Sequence, residues 1–229
     1  MPEYLTPGVY IEEIERGPRP IEGVPTSTAA FLGETERGPT QPHLITSYGE
    51  YLRWFGGVLL SPGYYMPYSV SGFFQNGGLR LYVCRIASDT ATRASKQFGG
   101  FQVQAIGPGK WGKRIWARIK KSTTTDPSGN PIGFRLQVAY WAGPTFQEFD
   151  PFDAANRNKV PRPAAVEDFD DLVFSDETSP DYYEKRLKDN SHLVELIKTG
   201  TDQDPTEDEG LLDQGGEDGT EVGLNDYGV

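Results

Sequence analysis

The loop at residues 107–114, Gly-Pro-Gly-Lys-Trp-Gly-Lys-Arg, has the spacing of a phosphate-binding site. In the pattern G-x-x-x-x-G-K followed by Ser or Thr, backbone N–H groups hold the phosphates and the hydroxyl binds magnesium. Arg114 stands where that hydroxyl is required, and residues 115–119 read as a strand. A phosphate site needs the start of a helix at that point. The sequence therefore predicts no nucleotide binding here.

Residues 202–209, Asp-Gln-Asp-Pro-Thr-Glu-Asp-Glu, gather the carboxylates that calcium prefers as ligands. A helix–loop–helix calcium site starting at Asp202 would need Gly in place of Glu207 and Glu in place of Asp213. We therefore interpret this stretch as a solvated loop, with weak cation binding as the alternative.

Other side chains with catalytic chemistry are few. His43, His192 and Cys84 show neither zinc-ligand spacing nor a serine-hydrolase signature. Carboxylate pairs such as Glu12-Glu13 and Asp170-Asp171 are sequence neighbours, which point to opposite faces of a strand. Cys84 lies among apolar residues, as is typical of a buried thiol kept in a reducing compartment. We therefore expect no enzymatic activity, no metal and no cofactor.

Charge is distributed unevenly along the chain. The net charge is −11 and the pI about 4.7, yet residues 201–229 hold six Asp, four Glu and no base, while residues 90–125 hold eight bases and no acid. Such a dipole favours docking onto another copy, and the acidic pI disfavours the alternative, nucleic-acid binding. The predicted electrostatic contact face consists of Lys110, Lys113, Arg114, Arg118, Lys120 and Lys121.

The elements that position these residues predict an α+β fold. Apolar runs and helical spacing indicate strands at 28–33, 43–45 and 79–86, with helices at 48–55 and from 66 to about 75 between the last two strands. Ser47 and Glu50 form a capping box for the first helix. Strands without helical periodicity follow at 101–106, 115–119 and 134–140, then closing elements at 166–174, 182–187 and 191–197, and a loop or linker at 199–221.

Four units are predicted from this pattern. They are an extended N-terminal arm at 1–25, an α/β core unit at 26–92, an inserted β-rich domain of sandwich or barrel type at 93–198, and an acidic Gly-rich linker at 199–229 that leads to an absent C-terminal part.

The N-terminal arm combines strand-forming residues with five prolines, so it cannot form a stable sheet alone. An exposed sheet edge of the same or another subunit is its natural partner. The residues predicted to make this contact are Tyr4, Val9, Tyr10, Ile11 and Ile14.

Four segments in order resemble the contractile-tail sheath family of myophage tails and phage-derived injection systems. They are residues 4–13 with 17–21 and 26–33; Gly-Phe-Phe-Gln-Asn-Gly-Gly at 72–78 before the strand 79–86; the turn at 107–113; and Gly-Gly-Glu-Asp-Gly at 215–219 with Asp226-Tyr227.

The resemblance implies a structural subunit that stacks in hexameric rings around an inner tube, exchanges strands with its neighbours and contracts to drive injection. The partners it implies are other copies of the chain, the inner tail tube protein, and tail terminator and baseplate proteins, with no nucleic acid and no membrane span.

Family members continue with a further large domain and a C-terminal domain that completes the core sheet. Assembly is expected in the host bacterial cytoplasm, within a virion tail or injection particle, and Met1-Pro2-Glu3-Tyr4 does not resemble a signal peptide. A non-enzymatic β-rich tail or baseplate adaptor, or another binding module, stays open as the alternative.

Overall fold

A computed structural model describes residues 27–58, 64–143, 145, 148–188, 190–200 and 205–227. The strands are β1 (Thr28–Gly33), β2 (His43–Ile45), β3 (Arg80–Arg85), β4 (Ala94–Phe98), β5 (Phe101–Ala105), β6 (Ile115–Lys121), β7 (Phe134–Tyr140), β8 (Ala165–Leu172), β9 (Val194–Lys198), β10 (Asp208–Leu211) and β11 (Gln214–Gly215). The helices are α1 (Tyr48–Phe55), α2 (Met66–Gln75) and α3 (Tyr183–Leu187), with 3-10 turns at Lys110–Arg114, Ala154–Asn156 and Leu224–Tyr227.

The first three strands form a small sheet in the order β1-β3-β2. β1 runs parallel to β3 and β2 antiparallel to it. The predicted capping box at the start of α1 is confirmed, because Ser47 Oγ accepts a hydrogen bond from the Glu50 backbone N at 3.1 Å and Glu50 Oε2 accepts one from Thr46 N at 2.8 Å. The helices α1 and α2 follow β2 and cover one face of the sheet.

The core of this small unit lies between the sheet and the two helices. Strand alternation points Leu81 and Val83 inward, where both are fully buried, and leaves Tyr82 on the opposite face. Helix α1 contributes the aromatic residues Tyr51 and Phe55. The cluster comprises Ile45, Tyr51, Trp54, Phe55, Met66, Val70, Leu81 and Val83.

The β-rich part consists of two four-stranded sheets packed face to face. One has the order β10-β6-β7-β8 and the other β11-β4-β5-β9. Alternating residues of both sheets fill a shared core, for example Phe101 and Val103 on β5 against Leu136 and Val138 on β7. The α+β fold class is therefore confirmed, and the β-rich part is a sandwich.

Several local expectations need correction. The stretch 199–221 is not a loop throughout, since β10 pairs with β6 and β11 with β4. Acidic and glycine-rich composition is typical of loops, but these strands lie at sheet edges, where charged residues are tolerated and paired. The strand β4 was not predicted, because its sequence Ala94–Phe98 is mostly polar. The closing element at 182–187, predicted without a type, is the short helix α3.

Candidate assembly surfaces

The predicted arm residues Tyr4, Val9, Tyr10, Ile11 and Ile14 lie outside the described residues. Their pairing with a sheet edge stays a prediction. What the structure describes is the body from which the arm departs, beginning at Ser27.

The predicted basic face is divided between the 3-10 turn Lys110–Arg114 and strand β6. Most of its members meet carboxylates of the same chain, and most of those carboxylates come from residues 205–227, which we call the return segment. The pairs are Lys110–Asp218 at 3.5 Å, Lys113–Glu217, Arg114–Glu36 at 3.8 Å, Arg118–Asp150, Arg118–Glu209 at 3.4 Å and Lys121–Glu207 at 3.8 Å.

These ion pairs show that the basic and acidic regions of the sequence pair with each other within the same chain. Both charged regions are visible in the sequence, but their pairing within one chain is not, because many residues separate the partners. A contact between this face and another copy stays a prediction.

The glycine loop 107–113 is shaped by close packing between the small unit and the sandwich. A Cβ on Gly107 would lie 1.9 Å from the carbonyl oxygen of Gly38. Trp111 is buried and its indole N–H donates to the Pro108 carbonyl at 2.9 Å. The backbone N–H of Lys110 donates to Asp218 Oδ1 at 2.7 Å. Gly107 of this loop is thus required by close packing, and the Asp218 carboxylate of the return segment accepts the hydrogen bond from the Lys110 backbone N–H.

The return segment brings the chain back to the place where it entered the sandwich. Gly215 pairs with Ala94, and Thr92 N donates to the Glu217 carbonyl at 2.9 Å. Farther along, the Ser88 and Thr220 hydroxyls are 2.8 Å apart. The sandwich therefore has its two chain connections side by side, next to the end of β3.

A buried polar network joins the small unit to the sandwich. The Tyr140 hydroxyl donates to Glu36 Oε1 at 2.6 Å and accepts from Arg114 Nη2 at 3.0 Å. Glu36 Oε2 also accepts from the Gly57 backbone N at 2.7 Å. Burial, and then the nearby Glu36 carboxylate, raise the pKa of Tyr140, so the phenol stays protonated and can donate.

Two arginines at the same junction are almost completely buried. Burial lowers the pKa of Arg37, whose Nη2 donates to the Leu52 carbonyl at 3.0 Å. Burial also lowers the pKa of Arg85 to about 10, and its Nη1 donates to the carbonyls of Gly38 and Pro108 at 3.2 and 2.9 Å. Arg85 thus ties the loop after β1 to the glycine loop of the sandwich.

The small sheet has an uncovered face and an unpaired edge among the described residues. Leu32, Leu44 and Tyr82 lie on three neighbouring strands and are exposed on the face away from α1 and α2. Strand β1, Thr-Ala-Ala-Phe-Leu-Gly, lies at the edge and contains neither charge nor proline. Such an edge is a template for a further strand.

The histidines pack on an aromatic ring at the junction. The ring centroids of His43 and His192 lie 4.0 and 4.6 Å from that of Trp54. In the described part of the chain, no group of three His, Cys, Asp or Glu side chains is placed to hold a metal ion. None of the described helices is long and apolar enough to cross a membrane.

Comparison with known proteins gave no matching family model and no match among curated proteins. Among solved structures, the chain is similar to the sheath tail protein DSY3957 from Desulfitobacterium hafniense, with 14% identity, a TM-score of 0.47, and coverage of 96% of this chain and 41% of that one. It is also similar to the sheath tail protein Lin1278 from Listeria innocua, with 13% identity, a TM-score of 0.46, and coverage of 88% and 36%. The chain therefore spans about two fifths of the length of these proteins.

Proposed function

We propose that this chain is a structural subunit of the contractile-tail sheath type, whose function is self-assembly. The observation that carries the proposal is the small sheet, which among the described residues combines an uncharged, unpaired edge strand with an exposed apolar face. Soluble proteins guard such edges with charges, prolines or covering elements, because an open edge recruits other chains. A sheet edge without such protection fits a protein that binds other copies of itself.

In this proposal, the N-terminal arm of one subunit adds a strand to a sheet edge of another. Its residues Val9–Ile14 supply the strand-forming side chains, and β1 supplies the open edge. The subunits stack as hexameric rings around an inner tube, and their rearrangement drives injection, as the four sequence segments imply. If the electrostatic contact face meets an acidic neighbour, association should also weaken with salt.

Electron microscopy of the purified protein tests the proposal. We expect rings or tubes from the full chain, and folded, unassembled protein after deletion of residues 1–22, because the arm would contribute ladder hydrogen bonds to a neighbour and little to the core. Normal assemblies without the arm would contradict the role given to it.

A matched pair of substitutions tests the sheet surface itself. Leu32 on β1 and Val166 on β8 are both 57% exposed, so Leu32→Lys and Val166→Lys each place a charge on an exposed strand position. We expect both variants to fold within about 0.5 kcal/mol of the parent protein, and only Leu32→Lys to prevent assembly. Equal assembly of the two would argue against the small sheet as the contact.

A further inference from the structure

The exposed side of α2 forms a stripe without charge. Tyr65, immediately before the helix, and Tyr68, in its first turn, are 70% and 59% exposed. From Trp54 to Leu79 the sequence contains no charged residue. Interface cores are depleted of charge and enriched in tyrosine, so this stripe has the chemistry of a contact surface.

The polar groups along the stripe are satisfied by the helix itself. Asn76 Nδ2 donates to the Gly72 carbonyl at 2.7 Å and Ser69 Oγ to the Tyr65 carbonyl at 3.2 Å. A Cβ at Gly72 would meet no atom within 4 Å, so the helix backbone is open beyond Tyr68. The stripe therefore consists of two exposed tyrosine rings beside the uncovered helix backbone at Gly72.

The N-terminal arm joins the described body at the end of this stripe. The Ser27 carbonyl accepts hydrogen bonds from Leu79 N at 2.8 Å and Arg80 N at 2.9 Å, which fixes the attachment point directly after α2. Ser27 lies in a turn, and Leu79 beside it is 63% exposed. The chain that precedes Ser27 thus starts next to the uncharged surface.

The composition of residues 17–26, Gly-Pro-Arg-Pro-Ile-Glu-Gly-Val-Pro-Thr, suits this surface. Proline-containing segments adopt the extended polyproline II form and bind surfaces lined by aromatic rings. In that form ten residues span about 31 Å, whereas the ten residues of α2 span about 15 Å. The segment is long enough to pass from the corner at Leu79 to Tyr65.

We propose that residues 17–26 dock along the Tyr65–Tyr68 stripe of α2 in the same subunit. Prolines of the segment pack on the two tyrosine rings, and the docked segment sets the direction in which residues 1–16 leave the body. The strand-forming part Val9–Ile14 stays available to a neighbour. This inference does not depend on the sheath proposal, because it concerns a single subunit.

Electron paramagnetic resonance distances on the full chain test the docking. Spin labels would be placed at Glu22→Cys in the segment and Arg53→Cys on α1, in a Cys84→Ser background that removes the native thiol. We expect one narrow distance distribution, unchanged when an excess of unlabelled protein is added. The paired change Tyr65→Ser with Tyr68→Ser should abolish the narrow peak, and Tyr82→Ser on the opposite sheet face should keep it.

Three results would overturn the proposal. The first is a broad distance distribution in the parent protein, and the second is a narrow distribution that survives loss of both tyrosines. The third is a narrow distribution that disappears when unlabelled protein is added, which would mean that the segment docks on a second copy. Circular dichroism of each variant checks that the fold is retained. Since tubes are scored separately by microscopy, docking and assembly can fail independently.

Discussion

The strand edges of the sandwich and of the small sheet are protected in different ways. In the sandwich, edge strand β8 carries four acidic residues, β9 carries a glutamate and a lysine, β10 carries two acids, and β11 is two residues long. In the small sheet, β2 is short but β1 has six residues without charge. Charged or short edges discourage pairing with other chains. The edges of the sandwich therefore discourage pairing with a further strand, whereas the β1 edge of the small sheet is suited to it.

The faces of the two regions differ in the same way. The largest cluster of the described residues lies between the two sheets of the sandwich and is closed on both sides. The small sheet has helices on one face only, and apolar side chains are exposed on the other. One region therefore buries its apolar residues within itself, and the other leaves apolar area that none of the described residues covers.

The largest expected effect lies in the sandwich core. Phe101 is fully buried, with ring centroids 5.5 Å from Tyr183 and 5.8 Å from Phe174. Phe101→Ala removes a large apolar side chain and leaves a cavity, which costs about 3–5 kcal/mol. Urea unfolding measures the loss. A cost below about 1 kcal/mol would mean that the sandwich contributes less to stability than its closed core suggests.

The next effect concerns the connection between the two regions. Gly107→Ala would place a Cβ 1.9 Å from the Gly38 carbonyl oxygen, and backbone atoms cannot move aside as a flexible side chain does. We expect destabilisation of about 3 kcal/mol, at the upper end for overpacking. Gly143→Ala is the matched control, because its Cβ would meet nothing within 4 Å. Equal thermal unfolding of the two variants would show that the units can separate at this loop.

Elements that are delimited by local signals could be predicted from the sequence, whereas strands held by distant partners could not. Local signals sufficed for β1, β2, α1 and β7, since each is delimited by nearby glycine, proline or a cap. The strand β11 is only two residues long and carries no strand pattern. The strand β10 was not predicted because its acidic side chains Asp208 and Glu209 pair with Lys96 and Arg118, which lie far earlier in the chain. No local pattern reveals a partner so distant along the chain.

At the assembly surfaces, the basic residues could be identified from the sequence, but the carboxylates that pair with them could not. The continuous apolar run at 28–33 predicts a strand buried on both faces, and this prediction is wrong. In the structure β1 is half exposed along its length. Which strand lies at an edge is decided by topology, here the order β1-β3-β2.

A moderate effect is expected from the polar network at the junction. Tyr140→Phe removes a hydroxyl that donates to Glu36 at 2.6 Å and accepts from Arg114 at 3.0 Å, while the ring packing is retained. Loss of a hydrogen bond to a charged group costs about 1.5–3 kcal/mol. Tyr82→Phe, which removes an exposed hydroxyl from the small sheet, is the control. If Tyr140→Phe unfolds like the parent protein, the Tyr140 hydroxyl does not help to hold the two regions together.

The smallest expected effects concern the return segment on the sandwich edge. A hydrogen bond from Lys96, at 3.1 Å from Asp208 Oδ2, holds the pKa of Asp208 below its usual value. A carboxyl with a lowered folded-state pKa stabilises the folded protein fully above its unfolded pKa of about 4, and this stabilisation is lost as the pH falls below that value. Exposed pairs of this kind contribute at most about 1 kcal/mol each and are screened at 1 M salt, where the Debye length is about 3 Å.

Amide hydrogen exchange of residues 208–211, referenced to β7, measures this local stability. We expect the protection factors of these amides, which are corrected for the intrinsic pH dependence of exchange, to fall in high salt and below about pH 4, while those of β7 stay high. Lys96→Met keeps the aliphatic stem but removes the charge, so it should raise the exchange rate at neutral pH and reduce the response to acid. Lys120→Met on β6 is the matched control, because Lys120 takes no part in the ion pairs given above. If salt, acid and Lys96→Met all leave β10 exchange unchanged, the backbone ladder to β6 holds the return segment, and the clustered charges serve another purpose, such as attraction between copies.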